Sequence, residues 1–89
     1  MYTPHFTNSY AKDIKRIIKR NYDLEKLKTI IIALLAGKEL PQKNRDHALK
    51  KNWHGFRECH ITPDWLLIYK IEEDAIYFTR TGTHSDLFS

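Results

Sequence analysis

Three of the five histidines, His47, His60 and His84, stand among residues that could share proton chemistry with them. His60 and Asp64 bracket Thr62-Pro63. Proline fixes φ there and aspartate can bond back to the backbone, so the pair belongs at one end of a hairpin. Downstream, Arg80 is followed by Gly82 and then by His84, which the chain can fold back toward the end of a sheet. An imidazole with an ordinary pKa of ~6.5 serves as base or acid near neutrality. A guanidinium offers a planar fork to a phosphate, and an aspartate orients an imidazole or accepts a proton itself. Gathered round an RNA phosphodiester, this set could take the 2′-hydroxyl proton, return one to the departing 5′-oxygen, and steady the charge building on the phosphate. Cys59 and His60 diverge on a strand, and no Cys-x-x-Cys or His-Glu-x-x-His spacing occurs, so no metal site is expected.

Such residues need a sheet to carry them and helices to back it. Phe56 to Ile61 and Trp65 to Ile71 read as strands, rich in β-branched and aromatic side chains. Alternation puts Phe56, Glu58 and His60 on one face and Arg57, Cys59 and Ile61 on the other. It likewise groups Ile76, Phe78 and Arg80 in a last strand from Ala75 to Thr81. Arg57 and Glu58 read as an ion pair of little consequence. Tyr2 to Thr7 is a short first strand that Pro4 confines to an edge or an opening residue.

Asn8 or Ser9 offers an N-cap for a helix through about Arg20. At ~100° per residue, Tyr10, Ile14, Ile17 and Ile18 fall on one side, with Lys12, Lys15, Arg16, Lys19 and Arg20 opposite. Asp23 caps a second helix from Leu24 to about Ala36, whose stripe is Leu24, Leu27, Ile30, Ile31, Leu34 and Leu35. Ile32 lies outside that stripe, and Gly37 closes the helix. Lys38 to Arg45 is a polar connector. His84 to Phe88 reads as a tail too short for a stable helix of its own. The order gives an α+β domain: an N-terminal strand, a two-helix hairpin, then an antiparallel meander with the helices packed on one face of the sheet.

Eighty-nine residues fit a single domain spanning 1–89. The formal net charge of +4 favours a polyanionic partner, and the exposed basic stripe of the first helix is where one would bind. One cysteine excludes an internal disulfide framework and suits a reducing cytoplasm. No basic start followed by an apolar run opens the chain, and no segment approaches the ~18–20 apolar residues that span a bilayer. A cytoplasmic protein without a membrane role is expected.

Four stretches together carry a family resemblance: Asp46-His47-Ala48-Leu49, Gly55-Phe56-Arg57-Glu58-Cys59-His60, Pro63-Asp64-Trp65-Leu66-Leu67-Ile68-Tyr69, and Arg80-Thr81-Gly82-Thr83-His84-Ser85-Asp86-Leu87-Phe88. The chain resembles, over essentially its whole length, the YafQ branch of the RelE/ParE toxin superfamily. The resemblance implies a RelE-like fold and a type II toxin that enters the ribosomal A site and cuts translated mRNA. It implies no metal or cofactor. A cognate acidic antitoxin encoded in the same operon would silence it in a toxin–antitoxin hetero-oligomer. Carried over by position, the catalytic histidines are His47, His60 and His84, the aspartate is Asp64, and the phosphate-binding arginine is Arg80. Phe88 matches the terminal aromatic and Trp65 a site-adjacent one, with Lys12, Lys15, Arg16 and Lys19 as further RNA contacts. Ala48 stands where relatives often have proline, a difference in loop stiffness rather than chemistry.

Two other readings compete. A ParE-like relative would share the fold and act by binding a protein target. A non-catalytic RNA-binding module would use only the basic helix. The histidine set separates both from the nuclease reading.

Overall fold

The computed structural model describes residues 1–89 and contains one five-stranded sheet, ordered β1-β5-β4-β3-β2. β1 (Thr3–Phe6) is an edge strand and runs parallel to β5 (Ala75–Gly82), with Thr3 opposite Ala75 and Phe6 opposite Phe78. Pro4, lacking an N–H, is tolerated at such an edge. β3 (Arg57–Thr62), β4 (Trp65–Glu72) and β5 form the antiparallel meander, and the two-residue β2 (His47–Ala48) closes the other edge against β3. No helix is long and apolar enough to cross a membrane.

α1 (Asn8–Lys19) is capped by Thr7 rather than by Asn8 or Ser9. The Thr7 hydroxyl accepts from the Tyr10 N–H at 3.1 Å and donates to the Thr79 carbonyl at 2.8 Å, so the cap also ties the helix to β5. Tyr10 and Ile17 are buried, whereas Ile18, a helical step of ~100° further round, is half-exposed. Asp23 caps α2 (Leu24–Leu35), which buries Leu27, Ile30 and Leu34. Leu24, on the first turn, is partly exposed, as is Ile32. Gly37 adopts φ +73°, and Lys38 N–H reaches back to the Ala33 carbonyl at 3.0 Å, the bond that ends a helix on a left-handed residue.

Both helices pack on one sheet face over Cys59, Trp65, Leu67, Tyr69, Ile76 and Phe78. The opposite face carries a smaller cluster of Leu66, Ile68 and Leu87, flanked by Leu49, Trp53 and Phe56. Leu87 belongs to α3 (His84–Phe88), so the supposed tail is a one-turn helix. Its stability is not its own. Thr83 and Asp86 form a reciprocal capping box, and Leu87 is buried in the small cluster.

Two register shifts interrupt the meander. One falls between His60 and Thr62. In the other, Tyr69 pairs with Phe78 while Ile68 pairs with Arg80, leaving Thr79 as the extra residue. Directly paired residues share a face, so Phe78 lies on the helix side and Arg80 on the side of Ile68 and Glu58. Simple alternation grouped Arg80 with Phe78; the bulge moves it to the histidine face.

Candidate active site

His47 comes from β2, His60 from β3 and His84 from α3, yet their rings stand in one row. Ring centres are 6.4 Å apart between His47 and His60 and 5.8 Å between His60 and His84. Each Nδ1 meets an oxygen: the Arg45 carbonyl at 2.6 Å for His47, the Pro63 carbonyl at 3.2 Å for His60, and Asp64 Oδ1 at 2.7 Å for His84. A carbonyl or an ionised carboxylate can only accept, so each Nδ1 carries its hydrogen and donates. In the neutral ring, Nε2 is then the nitrogen left to accept a proton. His60 is buried, and the buried Asn44 fixes its strand by donating to the His60 carbonyl at 2.7 Å. His84 is the most open of the three, with 56% of its side chain exposed.

Asp64 serves His84 rather than His60. The turn that brings Asp64 close instead aims His60 Nδ1 at the Pro63 carbonyl, while Asp64 Oδ1 accepts from both the backbone N–H and the ring of His84. Those two hydrogen bonds, the backbone one foremost, lower the Asp64 pKa from its ordinary value.

Glu58 is buried with Oε1 3.4 Å from His47 Nε2 and 3.7 Å from His60 Nε2. Its expected partner, Arg57, points to the other face and pairs with Asp46 at 3.3 Å, which also accepts from the Tyr69 hydroxyl at 2.7 Å. Cys59 is fully buried on that face too, and burial pushes its thiol up to about 12, leaving it inert.

Arg80 sits in the cross-strand row of Glu58 and Ile68, two strand spacings or roughly 10 Å from Glu58. Its Nε and Nη2 donate to Asp13 at 2.7 and 3.1 Å, which keeps the guanidinium firmly charged. The basic stripe of α1 is divided in use. Lys12, Lys15 and Lys19 are exposed and make no ion pair, whereas Arg16 lies 3.3 Å from Asp13 and Arg20 grips Asp86 with bonds of 2.6 and 3.0 Å.

Trp65 is not available to RNA. It is 2% exposed, donates from Nε1 to Thr81 Oγ1 at 2.9 Å and meets Tyr22 edge-on in the main core. Phe88 does stand at the margin of the site, 44% exposed, between Trp53 and His84 with ring centres 6.3 and 6.4 Å away. His5 stacks on Tyr77 at the far edge of the sheet.

Sequence reasoning missed Asp13, Asn44, Glu58 and Asp86. For Asp13 a signal existed: with Tyr10, Ile14 and Ile17 it completes an i, i+3, i+4, i+7 pattern, which places a carboxylate in the buried stripe.

The imidazole row thus stands on the sheet face away from the two helices, assembled from three separate elements. The chain superimposes on E. coli YafQ from a DinJ–YafQ complex with a TM-score of 0.93 and 38% identity, each chain covered in full. A metal-bound toxin from Helicobacter pylori is also similar, with a TM-score of 0.92 and 38% identity over 99% of this chain and 100% of that one. In sequence, the protein described as mRNA interferase toxin YafQ of E. coli K12 is 42% identical over 84 residues, 93% of this chain and 91% of the relative. Residues 2–89 match the family described as "Bacterial toxin of type II toxin-antitoxin system, YafQ", and the chain belongs to that family.

Proposed function

We propose that this toxin is an endoribonuclease that cuts translated mRNA in the ribosomal A site and is neutralised by a cognate antitoxin. The relatives named mRNA interferase toxin and the DinJ–YafQ complex support the activity class and the partner. The observation that carries the chemistry is the imidazole row, with every Nδ1 held by an oxygen and the His60 and His84 rings 5.8 Å apart.

In this reading His60, held rigidly on β3, takes the 2′-hydroxyl proton at Nε2. The resulting alkoxide attacks phosphorus in line, forming a 2′,3′-cyclic phosphate as the 5′-oxygen leaves. His84, oriented by Asp64, gives an Nε2 proton to that oxygen. Glu58 offers its carboxylate to whichever of His47 and His60 carries a proton. Arg80 neutralises charge on the non-bridging oxygens, and Phe88 gives a base a ring to stack on. Lys12, Lys15 and Lys19 hold ribosomal or messenger phosphates. Each proton transfer and each charge thus has a protein group, so the proposed route needs no metal.

The test is mapping of mRNA ends on programmed ribosomes. Wild type is expected to produce discrete cuts ending in 2′,3′-cyclic phosphates, and His60→Ala none. Undiminished cleavage by folded His60→Ala would remove His60 from the reaction.

A further inference from the structure

A chain of alternating charge runs along α1. Arg80 binds Asp13, Asp13 binds Arg16 at 3.3 Å, Arg16 lies 3.9 Å from Asp86, and Asp86 is gripped by Arg20. Its most buried member is Asp13, 1% exposed. A carboxylate there would be strongly unfavourable without partners. It has four donors: Arg80 Nε and Nη2, Arg16 Nη1, and the Thr81 backbone N–H at 3.1 Å.

The Thr81 bond explains why an acid is useful at this spot. β1 pairs with β5 only as far as Phe78, so the last part of β5 has no strand beside it on that edge. The Asp13 carboxylate takes the N–H that a neighbouring strand would have taken. The same two oxygens hold Arg80 side-on, through Nε and Nη2, and leave Nη1 with no partner. A guanidinium bound along one edge cannot rotate about its last bonds, and its free edge keeps one orientation.

We propose that Asp13 is a positioning residue of the phosphate site, clamping the bulge at Arg80–Thr81 and the Arg80 guanidinium together so that the free edge is set in advance for the scissile phosphate. This rests on Arg80 being the phosphate ligand. Asp13 touches no substrate and acts through Arg80. Preorganisation of this kind acts on the chemical step more than on docking, because the lysines of α1 supply long-range attraction independently.

The experiment is a mutant cycle read by single-turnover cleavage on programmed ribosomes at saturating toxin, using Arg80→Ala, Asp13→Asn and the double variant, with folding checked by circular dichroism. Arg80→Ala is expected to slow cleavage about 100-fold. Asp13→Asn should slow it about tenfold or more with unchanged ribosome affinity, and should cost nothing further in the Arg80→Ala background. Additive losses, or full-rate cleavage by Asp13→Asn, would overturn the role of Asp13 while leaving Arg80 as phosphate ligand. Full-rate cleavage by Arg80→Ala would remove the phosphate reading and this inference with it.

If Asp13→Asn does not fold, Arg80→Lys decides. Lysine keeps the cation but cannot be held along an edge. Cleavage as slow as Arg80→Ala supports the clamp, and wild-type cleavage overturns it.

Discussion

The β3–β4 hairpin and α3 each deliver one histidine of the proposed proton-transfer pair, and they hold it by opposite means. His60 is buried in a paired strand, its ring fixed by the carbonyl of Pro63, the first residue of the turn, and its own carbonyl fixed by Asn44. His84 sits exposed on five residues of helix, held by Asp64 across the gap while Asp86, Arg20 and Leu87 dock the helix itself. The hairpin gets its rigidity from the ladder. α3 borrows it from side chains far away in sequence. A site can therefore lose one half of its acid–base pair while the rest of the fold stands.

The sharpest test separates chemistry from stability at the two histidines. His84→Ala should reduce cleavage roughly 10²–10⁴-fold and leave the melting temperature nearly unchanged, since the side chain is exposed. His60→Ala should lose comparable activity and also about 1 kcal/mol of stability through the Pro63 hydrogen bond and its burial. Equal melting temperatures for the two variants would erase the contrast.

Next in size is the anchor. Leu87→Ala empties the centre of the small cluster and should cost about 2 kcal/mol, the low end for a core leucine because the cluster is thin. Proteolysis should then begin at residues 83–89 and cleavage should fall, with β3–β4 amide exchange unchanged.

Asp86 gives a pH signature. Hydrogen bonds from Arg20, and to a lesser degree from Thr83, hold its carboxyl far below the usual range. A depressed folded value means the stabilisation is complete above the unfolded value of ~3.9 and is lost as pH falls through the folded one. α3 docking, followed through fluorescence of the neighbouring Trp53, should therefore persist at mildly acidic pH and weaken only below about pH 4. Asp86→Asn should remove that acid phase. Unaltered acid behaviour in the variant would assign the phase to another carboxylate.

The smallest expected effect is none at all. Dialysis against EDTA should leave cleavage unchanged when the ribosomes are separately supplied with magnesium, and a loss restored by a transition metal would put an ion in the site.

Much of the architecture was readable from periodicity. The α1 and α2 stripes, the Asp23 cap, the Gly37 stop and the three meander strands all follow from local pattern, as does the edge position of β1. Arg80 was placed on the wrong face because a bulge is a property of two strands in register, invisible in the alternation of one. α3 was dismissed on length although Thr83 and Asp86 form a capping box, since what stabilises it lies 66 residues upstream at Arg20. Trp65 was read as site-adjacent, but it points toward the helices. Glu58 was discounted by pairing it with its chain neighbour, a partner that strand geometry forbids.

Thr79 makes the functional face a matter of parity. Its hydroxyl bridges the kink by donating to the Tyr77 carbonyl at 3.1 Å, and its exclusion from the ladder turns an even step between Phe78 and Arg80 into an odd one. Drawing Thr79 into the regular ladder would put Arg80 opposite Leu67 and point the guanidinium toward the aromatic interior, whereas deleting it would leave Arg80 next to Phe78 and still on the histidine face. The face that Arg80 takes is therefore decided by whether one residue bulges or pairs, and not by the number of residues in the strand.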